Sequence, residues 1–270
     1  MKLCRFQPLQ FDAKDITRSD STICPAVRNG IVEGDRIVEF LGELWGTRNP
    51  TGNRFSLNEV KLLPPSVPTK IVCVGRNYSE HAKELGNQVP KQPLIFFKPP
   101  SAIIASEEPI ILSALSQRVE YEGELAAIVG RRCRNLRADE NSASCILGYT
   151  CLNDVTARDL QKLDVQFTRA KGFDTFSPFG PILETEIDPA GVTVETFVNG
   201  IRKQSGHTSQ MMFSVDAIIR YIAQVMTLQP GDVIATGTPA GVGPLAAADV
   251  VEVSITGIGT LRNPVIAMQE

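Results

Sequence analysis

An α+β fold dominated by a rolled mixed β-sheet, with a small β-rich domain in front of it, is what this chain of 270 residues predicts. Three observations carry the expectation. Short apolar runs of strand length recur along the whole chain, helical spacing is confined to a few stretches, and the regular strand-helix alternation of a doubly wound protein is missing. The proline cluster Leu63-Pro64-Pro65-Ser66-Val67-Pro68 is a stiff, extended connection, so residues 1–65 are expected to form the small N-terminal domain and 66–270 the larger one.

Taken in order, Gly30 to Phe40 alternates about Gly34-Asp35 and predicts a β-hairpin. Lys70 to Gly75 restarts the chain as a buried strand, after which Asn77 or Ser79 can cap a short helix that ends at Gly86 and places His81 and Glu84 on one face. Asn141 to Leu147 reads as a helix and Gly148 to Asn153 as a strand. Gly191 to Gln204 reads as a hairpin turning at Asn199-Gly200. Ser214 caps the clearest helix, in which Val215, Ile218, Ile219, Ile222, Val225 and Met226 recur at helical spacing, and Gln229-Pro230-Gly231-Asp232 stops it. Strands around Val233–Ala235 and Val250–Val253 complete the pattern.

Composition narrows the function. With 43% hydrophobic residues, 21% charged residues and a net charge of -3, the chain has a core to bury and no basic surface for nucleic acid. No apolar run reaches a membrane span, and the N-terminal residues lack a signal-peptide core, so a cytoplasmic protein with small-molecule partners is expected. Cys4, Cys24, Cys73, Cys133, Cys145 and Cys151 are irregularly spaced, which signals buried thiols rather than zinc or disulfides. In a cytoplasmic protein the Asn77-Tyr78-Ser79 sequon has no meaning.

The chemistry begins in Val119-Glu120-Tyr121-Glu122-Gly123-Glu124-Leu125, where carboxylates recur at every second position. On one strand they share a face with neighbouring Cβ atoms about 7 Å apart, and like charges held so close repel. Either the face stands in water or a hard cation such as Mg²⁺, Mn²⁺ or Ca²⁺ sits against it. Asp154, after the strand that ends at Asn153, could complete an oxygen site or cap the following turn. His81 with Glu84 at i,i+3 could activate a water or be an ordinary surface pair. His207 lies in a polar loop and reads as a solvated histidine. Thr236 to Gly243 is glycine-rich but lacks the Gly-Lys-Ser/Thr ending of a phosphate loop, and reads as a tight turn presenting Thr238. Lys171 has no informative spacing.

Six ordered motifs change the balance. Gly75-Arg76-Asn77-Tyr78-Ser79-Glu80-His81, Phe97-Lys98-Pro99-Pro100-Ser101, Tyr121-Glu122-Gly123-Glu124-Leu125-Ala126, Asn153-Asp154-Val155-Thr156-Ala157-Arg158-Asp159, Lys171-Gly172-Phe173-Asp174 and Thr236 to Gly243 together resemble the fumarylacetoacetate hydrolase family, from about residue 70 to the C-terminus. The first ~65 residues look like the small N-terminal domain of many bacterial members. The resemblance implies a rolled mixed sheet, a homodimer, and one Mg²⁺ or Mn²⁺ ion, with Ca²⁺ as a third choice, held by Glu122, Glu124 and Asp154. Glu120 stays outside that ligand set. It also implies that His81 and Glu84 form a dyad on a lid, that Lys171 is a cation beside the substrate oxygen, and that Arg76, Gln161 and Thr238 contact substrate.

The implied reaction starts from a 2-oxo acid that chelates the ion, so that an enolate is stabilised as it forms. Cleavage of a carbon–carbon bond, by acylpyruvate hydrolysis or oxaloacetate decarboxylation, is the expected outcome, because the resemblance supplies Arg76, His81 and Glu84 together. Isomerase or tautomerase activity follows if only a proton moves. The third reading, a metal-dependent carboxylate-binding protein without turnover, has little use for a general base such as His81.

Overall fold

The computed structural model describes residues 1–10, 16–19 and 22–268, the side chains of 11–25 excepted. Strands dominate it. Among the described residues, twelve strands form one mixed sheet whose centre is Gly123–Val129, antiparallel to Ile146–Asn153 on one side and to Val233–Ala235 on the other. Past Val233–Ala235 the sheet runs through its parallel neighbour Ile71–Gly75 to Leu94–Lys98. In the other direction it continues through Ser177–Glu184 to Lys2–Pro8, Arg28–Glu33, Arg36–Leu41 and Asn49–Ser56. Lys2 pairs with Glu184 and Leu3 with Leu183, and the Met1 ammonium donates to Glu184 Oε1 at 2.6 Å. Five strands of residues 1–65, Val60–Leu63 among them, therefore extend the same sheet, while Ile16–Ser19 and Thr22–Pro25 pair only with each other.

The central strand is buried at all seven positions, and its pleat explains why its sequence is apolar throughout. Leu125, Ala127 and Val129 face one core cluster, while Ala126 and Ile128 face another. Ile71–Gly75 alternates in the same way, with Val72 and Val74 on the first side and Ile71 and Cys73 on the second. The first cluster is closed by Val215, Ile218, Ile219, Ile222 and Ala223 of a helix spanning Val215–Val225, whose N-terminus Ser214 caps by accepting from the Ala217 N–H at 3.2 Å. A second sheet, Ile110–Leu112, Gly259–Ala267, Val250–Ile255, Thr193–Val198 and Ile201–His207, packs against the first. No helix among the described residues is long and apolar enough to cross a membrane.

Most expected elements are present, including the hairpin at Asn199-Gly200, where both residues take positive φ (53° and 74°) as that tight turn requires. Three details differ. Glu120 to Glu124 is not one strand: Val119–Tyr121 belongs to a small three-stranded sheet and Gly123–Val129 to the large one. The change happens at Glu122, whose N–H donates to the Asn153 side chain at 3.0 Å, and Gly123 is required next because a Cβ there would meet Thr196 Oγ1 at 2.1 Å. The short helix after Ile71–Gly75 is present as Ser79–Glu84, but its N-cap is Tyr78 with no side-chain cap. Asn77 is unavailable because it bonds Phe213 and Thr236 instead. Finally, Asn141 to Leu147 forms only a 3₁₀ turn, Ser142–Cys145, since strand pairing claims the chain from Ile146. Cys4, Cys73, Cys133, Cys145 and Cys151 are buried and unpaired, and the Cys24 side chain lies outside the described residues.

Asp232 fastens the parallel strands together. Fully buried, it accepts from the Thr69 and Gln229 N–H groups at 3.1 and 2.8 Å, from Thr69 Oγ1 at 2.6 Å and from Lys70 Nζ. Asp232→Ala strands these donors, and we expect it to cost about 3 kcal/mol in denaturant unfolding. A cost below about 1 kcal/mol would show that water replaces the carboxylate.

Candidate active site

Where the two strands around Glu122 part, the large sheet turns a cluster of carboxylates toward a cavity of about 400 Å³. Glu122 and Glu124 flank Gly123, and Asp154 follows the neighbouring strand, its N–H donating to the Glu122 carbonyl at 2.8 Å. One carboxylate oxygen from each of the three lies within 4.8 Å of the others, and all three side chains are buried.

The cluster is embedded in an alternating chain of charges. Arg118 Nε donates to Glu120 Oε1 at 2.5 Å, and Arg158 Nε donates to Glu120 Oε2 at 2.6 Å. Another Arg158 nitrogen holds Glu122 Oε1, and Lys171 Nζ bridges Glu122 Oε2 at 2.7 Å and Asp154 Oδ2 at 2.6 Å. Lys98 Nζ ends the chain on Asp154 Oδ1 at 2.7 Å. Burial works against the charge on Glu122, but Lys171, Arg158 and then His81 hold its carboxyl well below the ordinary carboxylate range. Lys171 is likewise opposed by burial and favoured by Asp154 and Glu122, with the net effect of raising its pKa.

Glu124 has no such cation. Among the described residues it accepts only the Gly237 N–H at 2.8 Å, a contact made possible because Gly237 takes φ +101° and approaches Asn77 too closely for any side chain. Burial, followed by Asp154 and Glu122, therefore drives its carboxyl well above the ordinary range. That imbalance fits a divalent cation: three buried carboxylates converge, and the one lacking a counter-charge is among them. The donor set is all oxygen, which suits Mg²⁺, Mn²⁺ or Ca²⁺. The triad could hold such an ion.

The helix Ser79–Glu84 supplies another wall of the same cavity. His81 is buried, with Nδ1 3.3 Å from Glu84 Oε2, and Glu84 also accepts the Gly241 N–H at 3.0 Å. Arg76, in left-handed backbone at φ 58°, lines the cavity and makes no side-chain hydrogen bond among the described residues. Gln161 lines it too, accepting from Arg158. Thr238 donates to the Gly123 carbonyl and accepts from Gln204 Nε2, both at 2.8 Å, so its hydroxyl hydrogen is already committed. All nine site residues expected from the sequence thus meet in one place. His207 does not: exposed, it bonds Ser209 in its own loop. Lys98 and Arg158 were missed as site residues although both stand in quoted motifs, because nothing in the sequence shows that those cations are buried against the carboxylates. Glu120 was set aside, and it lies next to the triad rather than in it.

Comparisons with known proteins agree with this geometry. Residues 70–266 match the family described as Fumarylacetoacetate (FAA) hydrolase C-terminal, and residues 20–65 match the one described as Rv2993c-like, N-terminal. The chain is 39% identical over 256 residues to Oxaloacetate tautomerase YisK of Bacillus subtilis, covering 87% of this chain and 84% of that protein. Among solved structures, a 5-carboxymethyl-2-hydroxymuconate delta-isomerase from Mycobacterium smegmatis superposes with a TM-score of 0.87 at 40% identity, over 99% of this chain and 100% of that one. A 2-hydroxyhepta-2,4-diene-1,7-dioate isomerase from Mycobacterium marinum gives 0.85 at 43% identity, covering 100% of both chains. With its carboxylate triad set in a strand-rich fold shared with these structures, the chain belongs to the fumarylacetoacetate hydrolase family.

Proposed function

We propose that this protein is a divalent-metal-dependent enzyme acting on small 2-oxo acids, and that its central step is proton transfer at the carbon beside the keto group. One observation carries the reading: the His81–Glu84 pair and the Glu122, Glu124, Asp154 triad line a single cavity, with His81 close enough to Glu122 to favour its charged form. A divalent ion held by the triad would supply positive charge against the carboxylate and keto oxygens of the substrate. The remaining roles belong to the chain. Lys171, buried and cationic, adds a second positive charge beside those oxygens, and Arg158 keeps Glu122 aligned. His81 takes the proton from carbon as a general base, while Glu84 orients its Nδ1 side and steadies the imidazolium. The electron pair left on carbon moves onto the keto oxygen, and return of the proton to that oxygen gives the enol. Arg76 and Gln161 position the acid, and Thr238 offers it only an acceptor.

Proton movement alone makes a tautomerase or isomerase, and the names of the similar proteins support that outcome. A second reading, acylpyruvate hydrolysis or oxaloacetate decarboxylation, is supported by the same dyad acting on water or on a substrate whose carboxylate departs as CO₂. The family resemblance adds a homodimer in solution, and the separate match of residues 20–65 supports reading residues 1–65 as a small N-terminal domain.

Metal-stripped protein should lose turnover and regain it with Mg²⁺ or Mn²⁺. Oxaloacetate enol–keto exchange and pyruvate release, followed side by side, separate the two readings: exchange without pyruvate supports the tautomerase, and metal-dependent pyruvate release the cleavage enzyme. Binding of metal and acid with neither activity would support a non-catalytic binder. Glu124→Gln should lose calorimetric Mn²⁺ binding while the protein still folds. His81→Ala should bind Mn²⁺ yet turn over about 10²- to 10⁴-fold more slowly. Full activity in the His81 variant would remove it as the base.

A further inference from the structure

The floor of the cavity is already balanced before its rim is considered. Glu120, Glu122 and Asp154 face three buried cations, Arg158, Lys171 and Lys98, and Glu124 is left for the metal ion. Arg118 is surplus to that balance. Its Nε donates to Glu120, which Arg158 already neutralises from the buried side. Its side chain is 57% exposed, against 2% for Glu120, and it lines the same cavity. Among the described residues, its Nη1 and Nη2 make no hydrogen bond. The base of this guanidinium is therefore clamped by a buried carboxylate, while its two terminal nitrogens, a fork matched to a carboxylate, stay open. Its backbone is held as well, since the Arg118 carbonyl accepts the Arg158 N–H at 2.7 Å.

The neighbours share its sign. Lys162 and Arg76 also line the cavity without a side-chain hydrogen bond among the described residues. Glu84, the remaining carboxylate that lines the cavity, is occupied by His81 and the Gly241 N–H. A monoanionic 2-oxo acid chelated at the floor would leave these rim cations uncompensated, whereas an acid with a second anionic group would meet them.

We propose that Arg118, held by Glu120 and assisted by Lys162, binds the distal carboxylate of the substrate and makes the enzyme selective for 2-oxo dicarboxylates over 2-oxo acids with uncharged tails. The assignment rests on the 2-oxo acid reading above and adds a specificity-determining residue to it.

Oxaloacetate and its 4-methyl ester differ at the distal end by one charge, so the ratio of their kcat/KM values on the Mg²⁺-loaded full chain reads the contact directly. Arg118→Gln should lower that ratio by about tenfold, mainly through the KM for oxaloacetate, and Arg118→Lys should keep part of it. A ratio that stays the same in Arg118→Gln overturns the proposal. Calorimetric binding of malate and lactate to the Mg²⁺-loaded protein gives a readout without turnover, in which Arg118→Gln should weaken malate relative to lactate by a similar factor. An equal effect on both overturns the proposal. If neither keto acid is turned over while the malate preference still depends on Arg118, the catalytic reading fails and the specificity assignment stands.

Discussion

Seven charged side chains alternate in sign from the cavity rim to the interior: Arg118, Glu120, Arg158, Glu122, Lys171, Asp154 and Lys98. Everything at the site depends on this chain. Each buried ion would be expensive alone, and each is tolerable because its neighbours carry the opposite charge and are hydrogen-bonded to it. Removing one link leaves two like charges facing each other in a region of low dielectric. The alternation also fixes positions, since a carboxylate held on both oxygens cannot turn away from the cavity. Glu124 is the exception that gives the arrangement a use, because it is packed among the others with no cation of its own.

The fold delivers these groups by a change of sheet. Val119–Tyr121 and Gly123–Val129 separate at Glu122, which turns Glu120 toward Arg118 and Arg158 while Glu122 and Glu124 face Asp154. Gly123 permits the change by leaving room for Thr196, and Gln204 satisfies the freed Gly123 N–H at 3.0 Å. The rigid side of the cavity is thus built on strands buried on both faces, whereas the His81–Glu84 side is one short helix tied down through Gly241. The proposed base thus stands on a light element facing charges on a heavy one, which suits chemistry in which the substrate must enter before the base is set.

One site of this kind serves several outcomes. Proton transfer beside a keto group is common to tautomerisation, double-bond migration and cleavage of a carbon–carbon bond, so the function proposed for the triad and the dyad is the step all three share. What divides the outcomes is the tail of the substrate and access of water, and Arg118, Lys162 and Arg76 line the cavity where the proposed substrate would place that tail.

The apolar periodicity of Val215–Val225, the turn at Asn199-Gly200 and the hydrophobic run after Glu124 were legible in the chain, because each is set by neighbours a few residues apart. That Glu122, Glu124 and Asp154 belong together was legible too, though through the ordered motifs of a family, since alternating carboxylates alone read equally well as a wet strand face. Arg158 and Lys98 were hidden because a lone arginine or lysine carries no sign of burial in its spacing, and their partners stand 36 and 56 residues away. Local order, turn chemistry and the identity of the groups that meet at the cavity were therefore determined by the sequence itself. Which carboxylates are neutralised, and which one is left to seek a cation, was decided only when distant strands closed on one another and removed the water that had screened them.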